Sequence, residues 1–205
     1  MKIQTSLKQL LVSQTRLKLI TVLFANPKEI YYVRQLVRLI EEEINSVRRE
    51  LDNLKKAGIV ESEWRGNRLY YWANKQSPIF YDLLIIANKN SGLGLKLQHK
   101  NETLSPIKLV LYNYKFAVGE KRMEDGVDLI IVGDLFSLKE VGLLVKQEEE
   151  IRGHEINYMV MDKDEFQMRK QKRDQFIVDF FLRCPIVIIG SSSEIANIYT
   201  INDSS

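Results

Sequence analysis

The sequence predicts a mixed α/β chain built from two units, a helical unit that ends in a β-hairpin and a unit in which strands and helices alternate. Three observations predict it. Three helical patterns precede two short strands within residues 13–73, apolar strand-like runs alternate with helical patterns from residue 107 onward, and the two halves differ in charge. A chain of 205 residues is long enough for two small domains.

The charge of the chain is unevenly distributed. Residues 1–75 hold 14 basic and 8 acidic side chains, a net +6, whereas residues 76–205 hold 16 basic and 19 acidic ones, a net −3. A basic half joined to a slightly acidic half indicates two units, and a polyanion is a natural partner for the first of them.

Composition excludes several classes of protein. The chain is 45% hydrophobic and 28% charged, which excludes a disordered chain and a disulfide scaffold. The single cysteine, Cys184, cannot form an internal disulfide, so it is expected to be a small buried hydrophobe in a reducing compartment. No apolar run approaches the roughly 18 residues of a membrane span, and Met1 to Thr15 lack a signal-peptide core. A cytoplasmic protein without membrane contact is therefore expected.

Three helices are predicted in the first half. Ser13 is the expected N-cap of the first helix, which Asn26-Pro27 ends because proline restricts the residue before it. The second helix runs from about Val33 to Ile40. The third follows three glutamates and ends at Gly58, which adopts a left-handed C-cap conformation at little cost. Its inward stripe is Ile44, Val47, Leu51 and Leu54.

Two strands, Ile59–Trp64 and Arg68–Ala73, are predicted next, joined by Arg65-Gly66-Asn67. Glycine and asparagine tolerate the positive φ of tight hairpin turns. Three short helices followed by a hairpin with a cationic tip are the plan of a winged helix-turn-helix. In that fold the third helix enters the major groove of DNA and the hairpin touches the flanking backbone.

The outward face of the third helix carries the candidate chemistry. Its first turn presents amide and hydroxyl groups that can read base edges, and Arg49, one turn later, can reach a phosphate or a guanine. Taken alone, such a face also fits a solvated amphipathic helix, but the order of the elements favours DNA binding. The candidate DNA-contacting residues are Arg34, Asn45, Ser46, Arg48, Arg49, Asn53, Lys56, Arg65, Asn67 and Arg68.

The stretch NSVRRELDNLKKAGIV, residues 45–60, resembles the recognition helix and first wing strand of winged-helix regulators of the arsenic-repressor type. Residues 13–19 and 32–36 resemble the starts of that family's first two helices. The resemblance implies a sequence-specific transcriptional regulator that binds double-stranded DNA as a homodimer. Glu41-Glu42-Glu43 depart from the pattern, because they stand where phosphate contacts are common. The arsenic sensors' metal cysteines are missing, so neither metal sensing nor a cofactor is expected.

A connecting segment, residues 77–104, is predicted between a DNA-binding domain of residues 1–76 and an α/β domain of residues 105–205. Ser77-Pro78 is expected to open a helix whose apolar stripe over 79–87 is either core or a dimer contact. The N-terminal Leu7, Leu10 and Leu11 are the other candidate dimer contact. Gly92, Gly94 and the polar run from Gln98 to Ser105 are predicted to be the interdomain link.

The α/β domain is predicted from four strand-like runs separated by helical patterns. Ser137 is the expected cap of the helix after the second strand, and further helices are expected between Lys163 and Arg183. The predicted strands are Ile107–Leu111, Val127–Val132, Ile156–Met161 and Ile186–Ile189.

The stretch GEKRMEDGVDLIIVGD, residues 119–134, together with residues 154–158 and 184–190, resembles a minimal nucleotidyltransferase domain. That family's chemistry uses a Gly-Ser turn and two carboxylates one residue apart on a strand, plus a third carboxylate on a neighbouring strand. These positions read Tyr114-Lys115, then Gly126 and Asp128, with Glu155 or Asn157 as the third.

The resemblance therefore implies a vestigial nucleotidyltransferase site of Lys115, Asp128 and Glu155 with no catalytic residues and no metal. Such a domain would serve dimerisation or ligand binding, with a nucleotide or a protein as effector. Two alternatives stay open: an active nucleotidyltransferase that modifies a protein or nucleic acid, and an antitoxin-like module that binds a toxin partner.

Overall fold

The computed structural model describes residues 13–101, 107–120, 126–133 and 138–196, and these residues form ten helices and two sheets. The predicted mixed α/β class is confirmed. The chain divides into two compact units between Ser91 and Gly92. The predicted connecting segment is thus shared between the units.

The helices of the first unit form as their caps and apolar stripes predict. Ser13 is the N-cap of the first helix, where its Oγ accepts a hydrogen bond from the Arg16 backbone N–H at 3.2 Å. After the third helix, Gly58 has a φ of 68°, as expected for its C-terminal position. The elements are α1 Gln14–Ala25, β1 Tyr31–Tyr32, α2 Val33–Ile40 and α3 Ile44–Lys56.

A three-stranded antiparallel sheet closes this unit. Strands β2 (Val60–Arg65) and β3 (Arg68–Ala73) pair with Arg65 opposite Arg68, so the turn is only Gly66-Asn67, one residue shorter than predicted. Gly66 has a φ of 61°, and Asn67 is not among the residues with positive φ. Glycine at the first turn position is what a type II′ turn requires. Strand β1, which was not predicted, pairs with β3.

Helix α4 (Phe80–Lys89) begins later than predicted. Ser77 and Pro78 lie in a turn in which the Ser77 carbonyl accepts the Phe80 N–H at 2.9 Å, so the predicted helix start at Ser77-Pro78 is wrong. The apolar stripe of α4 packs on α1 within the same unit, with the Phe24 and Phe80 ring centroids 5.6 Å apart. This stripe is therefore core, and the alternative dimer contact at residues 7–11 lies outside the described residues.

The predicted interdomain link is also wrong over residues 92–101, which form helix α5 (Gly92–Asn101) in the second unit, while its residues 102–105 lie outside the described residues. One of the glycines of this helix, Gly92, marks a close contact. A Cβ on Gly92 would lie 2.9 Å from Glu148 Oε1, and Gly92 has a φ of 52°, so this position favours glycine. Leu93 and Leu97 bury the inner face of the helix.

The second unit is built on a four-stranded mixed sheet of order β6-β5-β4-β7. Strand β4 is antiparallel to both β5 and β7, and β5 is parallel to β6. All four predicted strands are present, with starts or ends displaced by up to two residues. They are β4 Ile107–Tyr112, β5 Leu129–Gly133, β6 Tyr158–Met161 and β7 Ile186–Ile189.

Both faces of this sheet are buried. Leu109 and Leu111 belong to a core with Phe166 and Phe180, whereas Val110 and Tyr112 of the same strand are buried on the opposite side.

The remaining helices are α6 Tyr114–Ala117, α7 Leu138–Arg152, α8 Lys163–Gln171, α9 Gln175–Leu182 and α10 Ser193–Ala196. None of the helices in the described ranges combines the length and apolarity needed to cross a bilayer. The predicted cap Ser137 lies outside those ranges.

Cys184 is exposed, so its prediction as a buried hydrophobe is wrong. It follows α9 with a φ of 52°, and its backbone N–H donates to the Phe181 carbonyl at 3.2 Å. A left-handed residue just past a helix end lies at the surface, where the chain reverses direction.

Candidate nucleic-acid interface

All ten predicted DNA-contacting residues lie in the first unit, on three of its elements. One belongs to α2, six to α3 and three to the hairpin, and nine of the ten are exposed: Arg34, Asn45, Arg48, Arg49, Asn53, Lys56, Arg65, Asn67 and Arg68. The exception is Ser46, which is half-buried with its Oγ 3.1 Å from Thr15 Oγ1. Its hydroxyl thus joins α3 to α1.

The cations of helix α3 form no ion pairs within 4 Å among the described residues. Arg48, Arg49, Lys55 and Lys56 are exposed, and none forms an ion pair with another described residue. The buried stripe of Val47, Leu51 and Leu54 lies on the other side of the helix, as predicted. The charges of Arg48 and Arg49 still act on the Glu43 carboxyl and help to lower its pKa, but no carboxylate among the described residues lies within ion-pair distance of these four cations.

Two of the three glutamates before α3 have carboxylates that are engaged within the unit. Glu41 ends α2 in a left-handed conformation with a φ of 52°. Glu42 Oε1 lies 2.6 Å from Lys18 Nζ, and this hydrogen bond lowers the pKa of the Glu42 carboxyl. Glu43 caps α3 by accepting the backbone N–H groups of Asn45 and Ser46 at 2.8 and 3.0 Å, which lowers the pKa of its carboxyl. These contacts give two of the three carboxylates a structural role in positioning α3.

An ion pair that the sequence did not reveal joins α1 to α3. Glu50 is buried, and its Oε2 accepts from Arg16 Nε at 2.9 Å. Burial alone would raise the pKa of the Glu50 carboxyl, but hydrogen bonds and the charge of Arg16 outweigh it and hold that pKa below its ordinary value. The sequence contains one indication that Glu50 is buried: it lies between Val47 and Leu54, on the inward side of the helix.

The substitution Arg16→Met should destabilise the first unit by about 1–2 kcal/mol. It leaves Glu50 buried without its cation, and the loss is moderate because Arg16 is partly in water. Folding lowers the pKa of Glu50, so the stabilisation is complete above pH 4.5 and disappears as pH falls through the folded pKa. Urea unfolding at neutral and acid pH measures the difference. If wild type and variant differed equally in unfolding free energy at both pH values, the predicted role of the ion pair would be contradicted. Arg38→Met, at an exposed arginine, is the control.

The hairpin tip holds two arginines side by side. Arg65 and Arg68 are directly opposite in register, an arrangement that destabilises a sheet unless other groups compensate. Arg65 Nε lies 2.8 Å from Glu63 Oε2, and the Arg68 guanidinium stacks 5.0 Å from the Tyr32 ring centroid. The Arg65 side chain is still 50% exposed. These contacts orient both guanidinium groups while leaving them open to an anion.

In the second unit, the carboxylate of Asp128 has a structural role. Asp128 is buried, and its Oδ2 accepts the backbone N–H of Asn157 at 2.8 Å. Its own N–H donates to the Asn157 carbonyl at 2.7 Å, and the Asn157 side-chain amide donates to the Gly126 carbonyl at 3.0 Å. Asp128 thus joins the start of β5 to the start of β6.

The three predicted vestigial residues lie on neighbouring segments, since the Asn113 N–H, just before α6, donates to the Asp128 carbonyl at 2.7 Å and Asp128 pairs with Asn157. Lys115 is half-buried in α6, and Glu155 is exposed two residues before Asn157, which is the neighbour of Asp128. Among the described residues, no three His, Cys, Asp or Glu side chains are grouped to hold a metal. A two-metal transfer site needs several carboxylates converging on its ions.

Comparison with known proteins adds one weak structural similarity. The chain resembles the crystal structure of M. tuberculosis Rv0081 with a TM-score of 0.33 and 22% sequence identity, over 48% of this chain and 93% of that one. No protein-family model and no curated protein matches the chain. A TM-score this low carries no argument, so the functional proposal depends on the residues themselves.

Proposed function

We propose that the first unit is a winged helix-turn-helix that binds double-stranded DNA, and that the chain is a sequence-specific transcriptional regulator. The observation that carries the proposal is that the cations of α3 are exposed while the carboxylates near them are engaged within the unit. Arg48, Arg49, Lys55 and Lys56 are exposed on α3 without ion pairs to other described residues, whereas Glu42, Glu43 and Glu50 are engaged in internal contacts. The result is a cationic surface on a basic unit, which suits a phosphate backbone.

In this proposal α3 lies in the major groove and each polar position has a role. Asn45, exposed in the first turn, pairs with a base edge, and Arg49 contacts a guanine or a phosphate. Lys55 and Lys56 supply charge for the backbone. The hairpin is the wing, and Arg65 and Arg68 bind phosphates beside the site that α3 reads.

The direct test is to purify the full-length protein, sequence the DNA recovered with it, and titrate it against a fluorescein-labelled duplex of that sequence and a random one. The proposal predicts tighter binding to the recovered sequence, and binding to both duplexes at low salt. Lys146→Ala, an exposed cation of the second unit, is the control that should leave the affinity unchanged. Absence of DNA affinity at low salt would reject the regulator.

We further propose that the second unit does not transfer nucleotides and serves dimerisation or ligand binding, with a nucleotide or a protein as effector. The support is the engagement of Asp128 with the Asn157 backbone and the glycine at position 126. Incubation with labelled ATP, GTP, CTP and UTP plus Mg²⁺ or Mn²⁺ should yield no labelled product. Label transfer by the wild type that is lost in Asp128→Asn would support the enzyme instead. Asparagine keeps an acceptor for the Asn157 N–H, so the control separates charge from folding.

A homodimer is the expected assembly, because winged-helix regulators commonly read two half-sites. The apolar stripe of α4 from Phe80 to Ala87 is core, so a dimer contact there would rely on the exposed Ile79, just before the helix, and Tyr81 in its first turn. Light scattering at micromolar concentration should give twice the 24.0 kDa mass of the chain. A monomer mass would contradict the expectation.

A further inference from the structure

A cavity of about 460 Å³ lies beside the hairpin, on its outer face, which is the face turned away from the core. Side chains alternate along β2, so Glu61 and Arg65 lie on this outer face whereas Val60 is buried on the inner one. Trp72, the cross-strand partner of Glu61, lies on the outer face as well. The segment between α1 and β1 and the residues after β3 complete the lining. A volume of this size is typical of sites for small molecules.

One wall of the cavity is flat and apolar. Trp72 is half-buried, and its Nε1 donates to Glu61 Oε2 at 2.8 Å, which holds the indole in one orientation. Ile30, an exposed aliphatic side chain, also lines the cavity. Because the only polar atom of the indole is already hydrogen-bonded, the ring offers a ligand its apolar surface. A flat aromatic group suits such a wall.

The charge of the lining is predominantly positive. Of the described residues that form it, three are cations, Lys28, Arg65 and Lys75, and one is a carboxylate, Glu61, which already accepts the indole N–H. Both lysines are exposed. The Arg65 guanidinium lies 6.0 Å from the Trp72 ring centroid, so a cation adjoins the aromatic wall. A ligand that suits both the wall and the charges is an anion with an aromatic ring.

We propose that this cavity binds a small aromatic carboxylate, whose ring packs against Trp72 and whose carboxylate pairs with Lys28 and Lys75. Arg65 lines the same cavity and is also a predicted phosphate contact, so the bound carboxylate competes with DNA for its guanidinium. The ligand is thus an effector that weakens DNA binding. This regulatory part rests on the proposed DNA-binding function, whereas the binding of the ligand does not.

The two tryptophans of the chain make ligand binding observable. Full-length Trp64→Phe retains only Trp72, and Trp72→Phe retains only Trp64, on the other face of the hairpin. Each variant is titrated with benzoate, with neutral benzamide and with acetate. Benzoate should change the emission of Trp72 saturably and leave that of Trp64 unchanged. Benzamide and acetate should bind several-fold more weakly, because one lacks the charge and the other lacks the ring.

A double variant tests the assigned cations. Lys28→Met/Lys75→Met in the Trp64→Phe background removes both ammonium groups and should raise the dissociation constant for benzoate several-fold. Lys139→Met/Lys146→Met, which removes two exposed lysines of the second unit, is the matched control and should leave that constant unchanged. Far-UV circular dichroism should show that both double variants stay folded, since all four lysines are exposed.

Anisotropy of a labelled duplex tests the regulatory part. Saturating benzoate should weaken the DNA affinity of the wild type several-fold more than acetate at the same concentration, which controls for ionic strength. In Lys28→Met/Lys75→Met the two salts should act alike, because the ligand no longer binds at that concentration.

The outcomes separate the ligand site from the function that it would regulate. Absence of a saturable response of Trp72, equal binding of benzoate and benzamide, or unchanged benzoate affinity in Lys28→Met/Lys75→Met would overturn the site. A response of Trp72 with no effect on DNA affinity beyond that of acetate would overturn the regulatory part. If no duplex binds, with or without benzoate, while Trp72 responds, the proposed DNA-binding function fails and the ligand site stands.

Discussion

Reversing the charge of Arg48 and Arg49 together, as Arg48→Glu/Arg49→Glu, is expected to abolish measurable DNA binding. Both side chains are exposed on α3 and neither has an ion pair among the described residues, so both are available to DNA. Losing one arginine that contacts a base or a phosphate costs about 1–3 kcal/mol, so losing two costs about 2–6 kcal/mol before the repulsion of the new carboxylates is added.

Fluorescence anisotropy with the labelled duplex measures this loss. Lys163→Glu/Lys172→Glu, which reverses two exposed lysines of the second unit, is the matched control and should reduce the affinity much less. Far-UV circular dichroism should show that both double variants stay folded, since none of the four side chains is buried. Equal losses in the two double variants would mean that α3 is not the DNA-contacting helix.

Gly190→Ala is expected to destabilise the second unit by about 3 kcal/mol or more. A Cβ there would lie 2.6 Å from the Lys108 carbonyl oxygen, on the backbone of the neighbouring strand β4, and Gly190 has a φ of 95°. Overpacking and a backbone conformation reserved for glycine each cost roughly 1–3 kcal/mol. Because the obstacle is a paired strand, it cannot move aside as a flexible side chain would.

Gly153→Ala is the control that measures the cost of the left-handed backbone conformation without a steric clash. Gly153 also has a positive φ, of 70°, but a Cβ there would meet nothing within 4 Å. The left-handed conformation by itself costs about 1–2 kcal/mol for alanine. Urea unfolding followed by circular dichroism should therefore give a clearly lower midpoint for Gly190→Ala. Equal midpoints would contradict the close approach of β7 to β4.

The parts of the fold that could be predicted are those with a local cause. The cap at Ser13, the bounds of α2 and the glycine after α3 follow from side chains within a few residues, and each is present. Strand β7 matches its prediction because a short apolar run between a proline and a glycine has few alternatives. The outward face of α3 was predicted for the same reason, since its inward stripe fixes the opposite side.

The parts that could not be predicted depend on distant partners. Strand β1 has two residues and exists because Tyr31 and Tyr32 pair with β3 about forty residues later. Glu50 is buried because Arg16, 34 residues earlier, reaches its carboxylate. Helix α5 was predicted to be a link because its glycines break a helical pattern, whereas Gly92 adjoins Glu148 of α7. In the second unit, the sheet register rather than residue type places Asn157, not Glu155, beside Asp128.

The salt dependence of DNA affinity tests the central claim most directly. Each phosphate that a cation neutralises contributes about −0.9 to the slope of log affinity against log salt concentration, so the six predicted cations Arg34, Arg48, Arg49, Lys56, Arg65 and Arg68 predict a slope of roughly −5. Arg68→Ala should flatten this slope by about one and weaken binding to all sequences alike. A wild-type slope near zero, or a slope that Arg68→Ala leaves unchanged, would contradict the proposed cationic DNA-binding surface.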